Sequence, residues 1–171
     1  DPFASSFIHE TTLGWRLPSD QIIEISQKEF LCSIQQVDGS LKNKTGYADY
    51  KSANTDILAW VAERVSKRSL RDWMIGIVEA VGIEGNWHMH TDREGFPVVD
   101  GGVNLCTRDL ARFGQLFCRY GMGVNGKQVG NKKYIENTRK NPGPKIQPPK
   151  DFYNYSNQTM TNGIWLGHGG Y

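Results

Sequence analysis

The sequence predicts an α/β (α+β) chain in which helices are mixed with short extended segments. Apolar residues recur at helical spacing after Asn54, after Ser69 and after Thr107. Extended runs bounded by turn-forming residues lie between and after these stretches, at residues 86–100 and 164–166. The length of 171 residues suits a single domain.

One helix and one short strand are predicted in the N-terminal part. Residues 1–20 are rich in turn-forming residues. Residues 20–36 carry apolar side chains in a helical pattern, which their β-branched content weakens. A Gly-Ser pair beginning at Gly39 marks a turn. Residues 45–51 are predicted as a strand that ends at Tyr50.

Three helices with recognisable ends are predicted in the middle of the chain. Asn54 or Thr55 can cap the first, because each carries a short polar side chain ahead of the apolar positions. Ser69 opens the second, with an acidic residue three positions on as in a capping box, and Gly82 is placed to end it. Thr107 is predicted to cap the third.

Shorter elements are predicted towards the C-terminus. Residues 86–100 are expected to be extended on both sides of a turn at 92–95. A short helix near 131–140 is followed by a proline-rich connector at 141–149 and by a strand at 164–166. The sequence contains no internal repeat.

The composition argues against several classes of partner. Lys and Arg number 20 and Asp and Glu 18, so the formal net charge is +2, and the two signs are interspersed. No apolar run approaches the ~20 residues that a transmembrane helix needs. The sequence therefore predicts a soluble globular chain with no nucleic-acid partner and no membrane partner. It does not indicate a compartment or an oligomeric state.

The cysteines and histidines do not form a metal-ligand pattern. Cys32, Cys106 and Cys118 are odd in number and widely spaced, which disfavours a disulfide framework and a structural zinc site. The last two are expected to be buried thiols. His88 and His90 alternate on a predicted extended segment but have no third ligand at clear spacing. No metal and no cofactor are therefore predicted.

The segment around Tyr50 is the most informative part of the sequence. Residues two apart on an extended segment point the same way, so the phenol of Tyr50 and the hydroxyl of Ser52 are expected to face one space. A Tyr can act as a general acid or base when its pKa is lowered. The alternatives are that Tyr50 packs at a strand end with its hydroxyl solvated, and that Ser52 only caps a helix.

This segment has a family resemblance. Tyr50-Lys51-Ser52 resembles the Tyr-x-Ser/Asn motif of the serine β-lactamase and penicillin-binding-protein superfamily. The longer string 50–60 resembles the branch that contains 6-aminohexanoate-dimer hydrolases and class C-like esterases. Other segments are similar to that branch in the same order: Gly-Trp-Arg-Leu-Pro at 14–18, Gly-Gly at 101–102 followed by Thr-Arg-Asp-Leu-Ala-Arg-Phe-Gly at 107–114, Tyr-Ser-Asn-Gln at 155–158, and His168-Gly169-Gly170 at the place of Lys-Thr-Gly.

The resemblance implies a β-lactamase/transpeptidase-like fold, with an antiparallel sheet flanked by helices and a helical insert. Residues 53–100 would mainly form the insert, and residues 101–171 would return to the α/β part. The sequence departs from the family because no Ser is followed by Lys at the third position, so the Ser-x-x-Lys segment would precede Asp1. The family's closing strand and helix would follow Tyr171. The chain is therefore interpreted as a partial domain, truncated at both ends.

The resemblance also implies roles for individual residues. Tyr50 would be the acid or base that serves a Ser nucleophile, and Ser52 would hydrogen-bond the substrate. An edge strand would present His168, Gly169 and Gly170 to the site. The N–H of Tyr171 would supply half of an oxyanion hole. A His in place of Lys favours esters or small amides over a β-lactam carboxylate, and the alternative is a glycine-rich turn.

The function that follows from the resemblance is that of a serine hydrolase. It would cleave carboxylic esters or amides of small molecules through an acyl-enzyme, and this chain alone would be inactive. The alternative is a catalytically dead β-lactamase-like domain that serves as a binding or interaction module. The missing Ser-x-x-Lys is compatible with both interpretations.

Overall fold

A computed structural model of the chain describes residues 5–20, 24–35 and 45–168. Helices and small antiparallel sheets make up the described residues, which confirms the α+β class. The helices are α1 (Ser5–Thr12), α2 (Gln27–Ser33), α3 (Ser52–Ser66), α4 (Leu70–Val81), α5 (Thr107–Cys118) and α6 (Lys132–Lys140). The strands are β1 (His88–Met89), β2 (Val103–Asn104), β3 (Asn154–Ser156), β4 (Thr159–Thr161) and β5 (Leu166–Gly167). Within the described ranges, no helix is both long enough and apolar enough to span a bilayer.

The residues divide into two compact units. Unit 1 comprises the described part of Asp1–Gly39 together with Lys51–Ile75 and Asn86–Leu105. Unit 2 comprises the described part of Ser40–Tyr50, Gly76–Gly85 and the described part of Cys106–Tyr171. The predicted insert at residues 53–100 and the return at 101–171 stay predictions.

Unit 1 packs helices around a small apolar centre. Ala59 of α3 and Leu70 of α4 are buried there with Phe96, and Trp60 and Val99 pack against them. Burial of such side chains stabilises a fold by about 1.5–3 kcal/mol each for the larger ones. The centre therefore ties α3 and α4 to the loop that follows β1.

The N-terminal elements differ from the prediction. Residues 5–12 form α1 rather than turns, and the helix predicted at 20–36 is limited to α2. The start of α2 is set by a capping box: the Ser26 Oγ accepts the Glu29 N–H at 3.3 Å, and the Glu29 carboxylate accepts the Ser26 N–H at 2.8 Å.

The helix after Tyr50 starts earlier than predicted. Helix α3 begins at Ser52, with Lys51 as an N-cap residue that makes no side-chain cap bond. The prediction that Asn54 or Thr55 caps this helix is therefore wrong. Helix α4 has the predicted ends, because the Ser69 Oγ accepts the backbone N–H of the third residue on at 3.1 Å and Gly82 follows the helix at φ +76°.

The predicted extended segment at 86–100 forms only one short strand. Strand β1 pairs antiparallel with β2, with His88 opposite Asn104. The predicted turn at 92–95 is present and is held by the buried Asp92. Its carboxylate accepts the backbone N–H groups of Phe96 at 2.8 Å and of Gln27 at 2.9 Å. One side chain thus fixes both the turn and the start of α2.

Unit 2 contains a three-stranded antiparallel sheet in the order β3-β4-β5, with α6 against β4. The β3–β4 hairpin turns at Asn157 and Gln158, whose φ angles are +51° and +60°. Two central residues with positive φ suit the twist of a two-residue hairpin. The strand predicted at 164–166 lies slightly later, as β5, and the predicted helix near 131–140 is present as α6 with Asn131 as its N-cap.

Helix α5 begins at Thr107, so the prediction that Thr107 caps it is wrong; Cys106 stands at the cap position. The buried Asp109 carboxylate accepts hydrogen bonds from the Cys106 thiol at 3.1 Å, from the Gly85 N–H at 2.9 Å and from the Arg112 guanidinium at 2.5 Å. The Cys106 and Cys118 side chains are exposed, which overturns the expectation of buried thiols. Cys106 sits at a polar helix start, where its thiol serves as a donor.

Candidate active site

Tyr50 lies beside two other rings in unit 2. Its ring centroid is 5.6 Å from that of Tyr155, in an edge-to-face arrangement, and 5.9 Å from that of His168. The rings of Tyr155 and His168 are 6.4 Å apart. These three residues are called the aromatic cluster below. Tyr50 is 43% exposed, so its ring does not belong to an apolar core.

The sheet positions two members of the cluster. Tyr155 on β3 lies opposite Met160 on β4, and Met160 lies opposite Gly167 on β5. His168 directly follows that strand. The two residues therefore meet because β3 and β5 flank the same central strand.

Tyr155 is held by two hydrogen bonds. Its backbone N–H donates to the Pro144 carbonyl at 2.9 Å, and its hydroxyl donates to the Gln158 side-chain oxygen at 3.0 Å. A positive φ at Gly143 brings the preceding segment close to the strand, because a Cβ at Gly143 would lie 2.4 Å from the Tyr155 carbonyl oxygen. Tyr155 is therefore fixed both through its backbone and through its hydroxyl.

The segment that carries Tyr50 is anchored by the backbone. Tyr47 forms an isolated parallel bridge with Lys145, and the Ala48 N–H donates to the Lys145 carbonyl at 2.7 Å. No strand forms at residues 45–51, so that prediction is wrong. A single bridge nevertheless joins the segment before Tyr50 to the residue that also bridges Asn154 of β3.

The electrostatics separate the roles open to the two phenols. Burial, followed by the neighbouring phenols of Tyr50 and Tyr134, raises the pKa of Tyr155 to about 12. Tyr155 is therefore a neutral hydrogen-bond donor near neutral pH and not a base. A proton acceptor in the cluster has to be Tyr50 or His168.

Ser52 belongs to unit 1 and is the first residue of α3, where it is half-buried. The expectation that Tyr50 and Ser52 both lie on one extended segment is wrong for Ser52, because α3 begins there. Lys51, between them, is nevertheless extended, with φ −137° and ψ 109°. The alternative in which Ser52 is the helix cap is also wrong, since the cap position falls on Lys51.

Three predicted site residues, Gly169, Gly170 and Tyr171, lie outside the described residues, and their roles stay predictions. Tyr155 was missed as a site residue, although it opens the Tyr-Ser-Asn-Gln segment at 155–158. The available signal was a strand-forming Tyr two residues before an Asn-Gln turn. The Asn side chain tolerates positive φ and marks such turns.

In chemical terms, the aromatic cluster combines two phenols and an imidazole beside the β3-β4-β5 sheet. An imidazole is the side chain whose unperturbed pKa places its charge change near neutrality. A cationic neighbour favours the phenolate form of a Tyr. The arrangement can therefore move a proton to or from a bound group, with Tyr155 as a fixed donor.

Comparison with known proteins shows the following similarities. No protein-family model matches the chain. Over 133 residues the chain is 32% identical to "6-aminohexanoate-dimer hydrolase" from Paenarthrobacter ureafaciens. The matched region covers 75% of this chain and 32% of that protein. The chain thus spans about a third of the length of the curated relative that it matches.

The fold has a counterpart among solved structures. The structure named "Putative 6-aminohexanoate-dimer hydrolase from Bacillus anthracis" superposes with a TM-score of 0.73 at 21% identity. The match covers 92% of this chain and 40% of that one. The described fold is therefore shared with part of a larger protein.

Proposed function

Because the chain is homologous to 6-aminohexanoate-dimer hydrolase, we propose that it is part of a β-lactamase-related serine hydrolase. The substrate would be a small molecule with an amide or a carboxylic ester bond. Both similar proteins are named as hydrolases of the 6-aminohexanoate dimer, which supports amide hydrolysis. The activity would belong to the complete polypeptide.

The observation that carries this proposal is the contact between Tyr50 and His168. The two residues come from the segments that resemble the second and last motifs of the superfamily, and their ring centroids are 5.9 Å apart. If His168 belonged only to a glycine-rich turn unrelated to the site, a contact with the Tyr50 segment would not be expected. The contact supports the assignment of both segments to one site.

In the proposed reaction, Tyr50 takes the proton of a Ser hydroxyl as it attacks the substrate carbonyl, and later returns a proton to the leaving group. Ser52 holds the substrate. The backbone N–H of Tyr171, beside Gly169 and Gly170, stabilises the oxyanion of the tetrahedral intermediate.

The nucleophile would come from a Ser-x-x-Lys segment outside these 171 residues, since none of their Ser residues is followed by a Lys three residues later. The motif Lys would supply the positive charge that stabilises a Tyr50 phenolate. The 171-residue chain alone would then bind substrate poorly and turn over nothing.

His168 would bias the site towards neutral substrates. A Lys at this position carries a permanent charge near neutral pH, whereas an imidazole does not. Esters and small amides that lack a carboxylate at this position are therefore the expected class. The alternative function is that of a catalytically dead binding domain. The missing Ser-x-x-Lys is compatible with this alternative and with the hydrolase.

The test uses the complete polypeptide encoded by the reading frame that contains this chain. A fluorophosphonate probe should label one Ser of a Ser-x-x-Lys segment, and the 6-aminohexanoate dimer and p-nitrophenyl esters should be turned over. Tyr50→Phe should lower kcat on the order of 10²–10⁴-fold. Tyr153→Phe is the matched control, because its ring contacts Phe152 and Trp165 rather than the cluster. Absence of Ser labelling would end the hydrolase proposal and leave the binding domain.

A further inference from the structure

Three distant segments of unit 1 bring together an imidazole and two carboxylates. His9 lies on α1, Asp56 lies on α3, and Asp100 lies in the turn before β2. One potential ligand atom from each residue lies within 4.8 Å of the other two. This group, called the His-Asp-Asp cluster below, lies in the unit that does not contain the aromatic cluster.

His9 and Asp56 are buried, Asp100 is half-buried, and the cluster is only partly hydrogen-bonded. His9 is 8% exposed and Asp56 is fully buried, and the His9 Nε2 lies 2.9 Å from the Asp56 Oδ2. Within the described part of the chain, the buried Asp56 Oδ1 has no hydrogen-bond partner, and neither has either carboxylate oxygen of Asp100. Buried carboxylate oxygens normally have partners, because losing hydration without compensation is costly.

The surroundings hold the three side chains in place. The His9 ring stacks on Phe30 of α2, with centroids 4.7 Å apart and an interplanar angle of 12°. Gly101, next to Asp100, lies so close to the Trp15 ring that a Cβ there would be 2.7 Å from it. The donors are therefore fixed by helices and a tight turn, as a preformed site requires.

The charges of the cluster do not balance among the residues themselves. Two carboxylates share a small space, and the Asp56 Oδ1 and both oxygens of Asp100 are buried without a hydrogen-bond partner among the described residues. Among the same residues, His9 pairs with Asp56 only. A neutral imidazole with two ionised carboxylates carries a charge of −2, which one divalent cation would neutralise.

We propose that His9, Asp56 and Asp100 bind a divalent cation of the first transition series, with Zn²⁺ as the best fit. Zn²⁺ takes His nitrogen and Asp oxygen ligands at about 2.0–2.2 Å, usually in tetrahedral geometry. Tetrahedral ligand atoms are roughly 3.4 Å apart at those bond lengths. The cluster would reach this spacing if a pair of atoms at the 4.8 Å limit closed by at most about 1.4 Å and the His9–Asp56 pair opened by about 0.5 Å.

The donor set discriminates between cations. Mg²⁺ and Ca²⁺ prefer six or more oxygen ligands, and an imidazole nitrogen is a poor choice for them. Three protein ligands leave a fourth position of Zn²⁺ for water. The bound ion would cross-link α1, α3 and the turn before β2, so its effect would be on stability.

The sequence could not have indicated this site. His9, Asp56 and Asp100 are far apart and follow no metal-ligand spacing. The alternating pair His88 and His90, which the sequence pattern did bring out, is exposed.

The test measures metal binding by the complete, untagged polypeptide after treatment with EDTA. ZnCl₂ should bind with one equivalent in titration calorimetry and raise the Tm by about 5–10 °C at 100 times its Kd. MgCl₂ should leave the Tm unchanged. Because three cysteines are exposed, Co²⁺ is used as a spectroscopic substitute. Its visible bands should appear without a thiolate-to-cobalt charge-transfer band.

Variants locate the ion. Asp100→Asn should weaken Zn²⁺ binding by about tenfold or more and remove most of the Tm increase. The control Asp72→Asn, at an exposed position on α4, should bind like the wild type. The proposal is overturned if wild-type protein shows no Zn²⁺-dependent change, if Mg²⁺ acts equally, or if Asp100→Asn binds normally. If Asp100→Asn does not fold, the wild-type Co²⁺ spectrum decides. A dominant thiolate-to-cobalt band would show that a cysteine binds the ion and would overturn the proposal.

Discussion

The imidazole of His168 lies 5.9 Å from the phenol ring of Tyr50, centroid to centroid, although the two residues come from opposite ends of the described part of unit 2. The Tyr50 segment is tied to Lys145 through Tyr47, and His168 follows β5. The proximity therefore depends on a backbone bridge and on the β3-β4-β5 sheet. Disturbing either one should disturb the proposed site.

Replacing His168 tests whether its imidazole serves the reaction. His168→Leu should lower kcat/KM of the complete polypeptide about 10²-fold, because a polar group beside the proton shuttle is lost. His168→Lys, which restores the residue typical of the superfamily, should retain more activity than His168→Leu. His88→Leu on β1 is the control, since His88 is exposed in unit 1. Equal kcat/KM for wild type and His168→Leu would remove the imidazole from the mechanism.

Tyr155 should act as a positioning residue and not as a base. Because its pKa is raised to about 12, Tyr155→Phe should leave the pH profile of kcat between pH 6 and 10 unchanged in shape. The lost hydrogen bond to Gln158 should lower the free energy of unfolding by about 0.5–1.5 kcal/mol, measured in urea. A new limb in the pH profile would assign Tyr155 a titrating role.

Gly143 should be sensitive to substitution for a steric reason. Its φ is +76°, and a Cβ would lie 2.4 Å from the Tyr155 carbonyl oxygen. Gly126 has nearly the same φ, +75°, but has open space around a Cβ. Gly126→Ala should cost about 1–2 kcal/mol from backbone strain alone.

Gly143→Ala should cost at least about 1 kcal/mol more than Gly126→Ala, because β3 has to shift as well. Urea unfolding of both variants in parallel measures the difference. Equal losses would mean that β3 is not held by the close approach of residue 143.

Asp109 should make stability depend on acid pH. Hydrogen bonds from the Cys106 thiol, the Arg112 guanidinium and the N–H groups of Glu84 and Gly85 hold its pKa well below the ordinary value. A carboxylate with a lowered folded-state pKa stabilises the fold above its unfolded pKa of about 3.9, and this contribution is lost as the pH falls below that value.

Asp109→Asn should therefore lower the Tm by several degrees at pH 7, and the gap to the wild type should shrink between pH 4 and pH 2. Thermal unfolding followed by circular dichroism measures both. Asp72→Asn is the exposed control and should show no such gap. A difference in Tm between the wild type and Asp109→Asn that stays constant with pH would mean that the charge of Asp109 does not stabilise the fold.

The sequence predicted the elements whose determinants are local. Ser69 and Gly82 bound α4 because a hydroxyl cap and a residue with positive φ are readable from neighbouring positions. The short helix predicted near 131–140 is present as α6. The start of α3 was not predicted, because Lys51 at its N-cap position makes no side-chain cap bond and so leaves no capping signal in the sequence.

The candidate site was predictable only where it follows a motif. Tyr50 and His168 were selected by resemblance, and the structure brings their rings together. The strand expected at 45–51 did not form, since one bridge to Lys145 replaces a ladder. Tyr155 lies in a segment that the resemblance included, but its approach to Tyr50 depends on strand pairing across the sheet. The His-Asp-Asp cluster depends on contacts between distant segments, and no local pattern in the sequence encodes it.

The two-residue turn at Asn157 and Gln158 has a consequence for redesign. It fixes the pairing of β3 with β4, and a slip of one residue sends every side chain of a strand to the opposite face. An insertion or deletion there would turn Tyr155 away from Tyr50 even if every residue identity were kept. Anyone who grafts new specificity onto this sheet has to preserve the length of the turn, its two positions with positive φ and the hydrogen bond from Tyr155 to Gln158.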